Sequence, residues 1–151
     1  MEIKQQIDRD LKAAMLSGQK QVVSTLRGLK STILYAEVES NKRSEGLNTE
    51  ELVSLIGKEA NKRQESADLY TQGGSPERAE LELAEKSTLE AYLPPQLSEI
   101  ELVQLIATGI EETGAESMKN MGQVIAWVKA KAAGAADGGT IARLVKERLE
   151  K

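Results

Sequence analysis

Residues 134 to 140, "GAADGGT", run straight into the helix-like "IARLVKERL", a place where three glycines and a threonine could cradle a phosphate. A nucleotide loop of the form G-x-x-x-x-G-K-[ST] surrounds phosphates with backbone N–H groups and reaches the terminal ones with its lysine. Gly134 and Gly139 have that spacing, but Thr140 stands where the lysine is required. The preceding "VIAWVKAKAA" also reads as helix, not as the strand such a loop follows. The stretch is therefore read as a turn. Gly134 ends one helix in the left-handed conformation and Asp137 caps the next, with Gly138 behind it. The N–H groups left free at that helix start can meet an RNA phosphate.

Two groups of cations offer a second chemistry, the holding of a polyanion. Lys129 and Lys131 precede the turn, and Arg143 and Lys146 follow it, three apart and so on one helix face. From Ser117 to Lys151 there are seven basic residues against three acidic ones, in a chain whose net charge is −4. In the first half, Arg27 and Lys30 share a face, as do Lys58 and Lys62, with Arg63 next to them. This second group reads either as a phosphate-tracking stripe or as the partner of the acidic segment from Glu77 to Glu90. The pair Lys146 and Glu150 has a plain reading too, as a solvated helix face. Trp127, one position from Val128 in an apolar helix, reads as core rather than as a base-stacking platform.

Other chemistry is excluded by residue type. The chain has no cysteine and no histidine, which removes disulfides, zinc sites, thiol nucleophiles and any triad with a histidine base. No D-x-[DN]-x-[DN]-G loop offers a carboxylate metal site. The expectation is no catalytic residue, no metal and no cofactor. The net negative charge argues against indiscriminate nucleic-acid binding, and no specificity for DNA is expected. No apolar run approaches the roughly 20 residues of a membrane span, and the N-terminus lacks a signal-peptide core, so the chain is expected to be cytoplasmic.

The elements that carry these groups are helices. Aromatics are 3% of the residues and phenylalanine is absent, so Leu, Ile, Val, Ala and Met must build the core. Ile3, Ile7, Leu11 and Met15 mark a first helix ending near Gly18, and Val22, Val23, Leu26, Leu29, Ile33 and Leu34 mark a second. Asn48 and Glu51 form a capping box opening a third helix toward Tyr70. Ser75 is the natural cap of a fourth, with Pro76 at its first position and Leu81, Leu83, Ala84 and Leu89 along it. The double proline Pro94-Pro95 then breaks the chain, and Ser98 with Glu101 caps a fifth helix. Ser117 caps a sixth, bearing Met121, Val124, Ile125 and Val128, and Ile141, Leu144, Val145 and Leu149 mark the last. The fold class is all-α in two lobes: residues 1–93, an N-terminal four-helix lobe, and residues 94–151, a C-terminal three-helix lobe.

The order of these landmarks resembles a known family. "STLRGLKSTI", "GKEANKRQESADLY", "AYLPPQLSEIEL", "ESMKNMGQVI" and "GAADGGTIARLVKERL" are similar to the stand-alone YqeY-like proteins of the GatB/YqeY family along nearly the whole chain. The combination of L-P-x-Q-L-S, M-G-x-V and G-x-A-D-G ahead of a short last helix carries the resemblance. It extends to the tail domain of the GatB subunit of tRNA-dependent amidotransferase. That likeness implies an all-helical two-part fold, a contact with tRNA or a tRNA-bound enzyme complex, and no catalytic residues in this region. Arg27 with Lys30, and Lys58 with Lys62 and Arg63, match the family's R-x-L-K and K-x-x-x-K-R patterns. Ala133, Ala135 and Gly139 stand where relatives often carry basic residues around the turn. The alternative function is a protein–protein adaptor docking a partner through an apolar groove between the lobes, with no direct RNA contact.

Overall fold

The computed structural model describes residues 2–150, and among these all regular structure is helical. The helices are α1 (Ile3–Ser17), α2 (Lys20–Glu39), α3 (Thr49–Gln72), α4 (Pro76–Glu90), α5 (Glu99–Thr113), α6 (Met121–Ala132) and α7 (Gly138–Leu149), with a 3-10 turn at Met118–Asn120 leading into α6. The chain divides into two compact units, Met1–Leu93 and Pro94–Lys151. Among the described residues no helix is long and apolar enough to cross a membrane.

Local sequence sets most helix ends. Helix α1 stops where Gly18 takes a left-handed φ of 73° and its N–H bonds the Ala14 carbonyl. Helix α3 opens in a capping box, the Glu51 N–H donating to Asn48 Oδ1 at 2.8 Å and the Asn48 N–H to Glu51 Oε1 at 3.2 Å. Ser98 and Glu101 repeat that arrangement at α5. Each cap of this kind contributes about 1 kcal/mol by satisfying donors the helix itself cannot. Ser75 departs from its expected role. Pro76 does begin α4, but the Ser75 side chain makes no cap bond; its backbone ψ of 68° lies off the extended geometry a capping side chain requires. Ser117 likewise caps the 3-10 turn, accepting from the Lys119 N–H at 3.3 Å, because that turn precedes α6.

In the first unit Ile7, Leu26, Leu29, Ile33, Leu52, Ile56 and Leu89 form the centre of the core. Each such side chain contributes about 1.5–3 kcal/mol relative to exposure. Helices α3 and α4 make the most extensive helix–helix contact. Alanines are buried along this pair, Ala60 and Ala67 on α3 and Ala79 on α4, and small side chains let two backbones approach closely. Consequently Leu81 and Leu83, 56% and 40% exposed, lie outside the seam, and Ala84 is exposed as well. Of the four residues expected to mark that helix, only Leu89 is buried. On α1, Met15 is exposed while its neighbour Ala14 is buried. The Tyr92 hydroxyl donates to Asp10 of α1 at 2.5 Å; burial, and then this carboxylate acceptor, raise the phenol pKa above its ordinary value.

The second unit is centred on Leu102, Ile106, Val124, Val128, Ile141, Leu144 and Val145. Trp127 packs half-buried against α5. A β-carbon added at the buried Gly109 would lie 2.8 Å from Trp127 Cε3, so the absence of a side chain there is what admits the indole.

Candidate nucleic-acid interface

The turn from α6 to α7 is built more tightly than a surface connection requires. Its left-handed residues are Ala133, with φ 47°, and Gly134, with φ 88°. Gly134 takes the left-handed conformation expected of it just past α6, and the cap residue Ala133 takes it as well; the Ala133 N–H bonds the Lys129 carbonyl at 3.0 Å. A non-glycine residue there carries a cost of roughly 1–2 kcal/mol. Two contacts from the segment ahead of α5 hold the turn in place. The Leu97 N–H donates to the Ala135 carbonyl at 2.7 Å, and the Gln96 side-chain amide donates to the Gly134 carbonyl at 3.0 Å. The L-P-x-Q-L-S and G-x-A-D-G stretches are therefore one structural assembly. Nothing local in the sequence signals this pairing, because the partners lie 38 residues apart.

Asp137 caps α7 as expected, accepting from the Thr140 N–H at 3.0 Å and its hydroxyl at 3.3 Å. The N–H groups of Gly138 and Gly139 find no acceptor among the described residues, as is usual for the first positions of a helix. Lys129 lies over this end. A β-carbon at Gly138 would sit 3.1 Å from Lys129 Cε and 3.3 Å from its Nζ. An ammonium group is thus brought to the positive end of the α7 dipole, an arrangement that favours an anion, with the Asp137 carboxylate offsetting part of the field.

The remaining sequence-selected cations are not equivalent. Lys131 places its Nζ 5.5 Å from the Trp127 ring centroid, a cation–π contact worth ~0.5–1 kcal/mol at an exposed site. Arg143 pairs with Glu147 at 3.2 Å and Lys146 with Glu150 at 4.0 Å, both along α7 itself. The outer face of α7 thereby carries two cations and two carboxylates. Lys129 and Lys131, in the last turn of α6, have no carboxylate within ion-pair distance among the described residues.

In the first unit the basic residues divide further. Arg63 bridges to α4, meeting Glu82 at 3.1 Å and Glu85 at 3.4 Å. Lys62 pairs with Glu59 on its own helix, and Lys30 with Asp8 of α1 at 2.7 Å. Arg27 approaches the Met15 sulfur at 4.0 Å. Lys58 is exposed and has no carboxylate partner among the described residues. Pairing with the acidic fourth helix, expected for this group as a whole, belongs to Arg63 alone. No group of three or more acidic side chains among the described residues is arranged to hold a metal ion.

The family model described as Yqey-like protein matches residues 4–149. The chain belongs to the YqeY-like family. No individual curated protein matches it. In this YqeY-like chain the resemblance-bearing motifs coincide with structural devices: the Ser98 cap, the Gln96 and Leu97 clamp, and the Asp137 cap.

Proposed function

We propose that this YqeY-like chain is a non-catalytic helical protein that binds tRNA, free or held in a tRNA-dependent enzyme complex, as its resemblance to the GatB tail suggests. The observation that carries the reading is the Lys129 ammonium lying over Gly138, at the end of α7 where two backbone N–H groups are unused. Lys129 and Lys131 are the principal phosphate contacts, and Arg143 and Lys146 reinforce them once released from their glutamates. Recognition of this kind reads phosphate and shape rather than base sequence. Binding of the purified chain to tRNA at two salt concentrations, with duplex DNA as control, tests the proposal. Saturable binding that weakens steeply with salt and exceeds binding to DNA is expected. The double variant Lys129→Glu and Arg143→Glu should bind weakly, and its log–log salt slope should be shallower by about 1.5, the loss of two counterion-releasing contacts. Unchanged affinity in that variant would remove this surface from consideration.

A second reading, a protein–protein adaptor, draws on α5, where Ile100 is 74% exposed and Val103 lies on the same face three residues on. Partner association that is insensitive to salt, and abolished by Ile100→Glu, would favour it over RNA binding.

A further inference from the structure

Glu37 is the only charged residue buried among those described, at 3% exposure, and its structural partners, Lys4 and the Leu47 N–H, both use the same oxygen. Leu29, Ile33 and Glu37 are spaced four apart on α2, so an apolar side chain would simply continue the stripe. Burying a carboxylate is costly unless its lone pairs are filled. Here only one oxygen is engaged: Oε2 accepts from Lys4 Nζ at 2.9 Å and from the Leu47 N–H at 3.3 Å. The other, Oε1, accepts no hydrogen bond from any described residue and is open to solvent, since no side-chain polar atom sealed from solvent among the described residues lacks a partner. Glu37 lines a cavity of about 280 Å³ formed by α1 and α2.

The cavity has an apolar wall of Ile7, Ile33 and Leu34, and an ion pair brackets it at each end, Lys4 with Glu37 and Lys30 with Asp8. Its formal charge is therefore zero, and it offers no net field to draw in an ion. At the Glu37 end it presents a carboxylate oxygen open to a further donor, beside a lysine with N–H groups to spare. A head group that both donates and accepts matches this pair, whereas a ketone can only accept and an ammonium can only donate. We propose that the α1/α2 cavity binds a small uncharged molecule with an apolar body and an alcohol or primary-amide head. The head donates to Glu37 Oε1 and accepts from Lys4, and the body lies along Ile33 and Leu34.

The experiment is an amide-resolved NMR titration of the full chain with four probes of similar size: hexanamide, 2-hexanone, hexanoate and hexylamine. No RNA is present, so the outcome is independent of the tRNA reading. The expected result is saturable shifts confined to α1, α2 and the Leu47 amide with hexanamide. 2-Hexanone should bind roughly tenfold more weakly for want of a charge-assisted bond, and the two ions more weakly still. Ser31→Phe, at an exposed α2 position lining the cavity, should abolish these shifts while leaving the helical circular-dichroism signal intact. Glu37→Gln provides the independent check. Lys4 and the Leu47 N–H are both donors, so they hold the glutamine carbonyl and turn its NH2 toward the cavity. The deficit of the ketone relative to the amide should then disappear. Equal binding of amide and ketone to the unaltered chain, shifts outside this region, shifts that persist in Ser31→Phe, or no saturation would each overturn the proposal.

Discussion

The two units use charge in different ways. In the first, four of the six ion pairs among the described residues run from helix to helix: Lys4 to Glu37, Lys30 to Asp8, and Arg63 to Glu82 and Glu85. In the second, the two ion pairs among the described residues both lie along α7. Its helices are joined instead by apolar packing, by the Trp127 and Gly109 contact, and by the backbone clamp on the α6–α7 turn. Lys4, Lys30 and Arg63 of the first unit are thus committed to the fold, unlike Lys58 and Lys62, while the paired cations of the second unit hold no two helices together. Surface charge that does not hold helices together is charge available for recognition.

The largest test of this contrast is Gly109→Ala. The new methyl must displace the Trp127 ring from 2.8 Å, and overpacking of this kind costs about 1–3 kcal/mol. Denaturation followed by the fluorescence of Trp127, the chain's single tryptophan, reads the second unit directly. Loss of less than half a kcal/mol would mean that apolar fit is not what joins α5 to α6. Next in size is a paired comparison. Arg63→Ala breaks two interhelical contacts and should destabilise the first unit by up to ~1 kcal/mol, whereas Arg143→Ala should change stability by no more than ~0.5 kcal/mol, as for a single exposed helix pair. Equal effects in urea denaturation would erase the distinction between the units.

The smallest effect concerns pH. Lys42 hydrogen-bonds Glu51 at 2.8 Å, and that bond is the first cause both of the raised lysine pKa and of the lowered glutamate pKa. A depressed carboxylate contributes stability above its unfolded pKa and loses it as pH falls through the folded value. The raised lysine contributes below its unfolded pKa and loses that contribution as pH rises through the folded value. Both groups are solvent-facing, so the contribution is slight. Lys42→Gln should flatten the acid limb of the stability profile below the ordinary glutamate range, measured by thermal melting from pH 3 to 7. An unchanged limb would separate this pair from the acid response.

Features set by a few neighbouring residues were legible in the sequence. The two capping boxes and the Gly18 and Asp137 caps each depend on residues three or four apart, and so were open to a sequence reading. The helical class followed from apolar spacing. What escaped depended on distant partners. Leu81 and Leu83 look like core by hydrophobicity, but a seam of alanines is invisible to such a reading because alanine is equally at home on a surface. The left-handed Gly134 was legible, but the left-handed Ala133 beside it was not, because that geometry is ordinarily glycine's. Glu37 was not among the residues the apolar pattern marked, although its spacing from Leu29 and Ile33 places it on the buried face. Of the candidate site, the residue types were legible; which cations are already paired was not, since that depends on which helix faces which.

The bond from the Leu97 N–H to the Ala135 carbonyl also bears on how the second unit opens. Leu97 lies outside any helix, where amide hydrogens ordinarily exchange with solvent within the fraying motions of a loop. Its acceptor, however, is in the connection just before the last helix, so this hydrogen is released only when the beginning and end of the unit part company. Leu97 should therefore exchange as slowly as the amides at the centre of α6. It would serve as a single-residue clock for the cooperative opening of the whole unit.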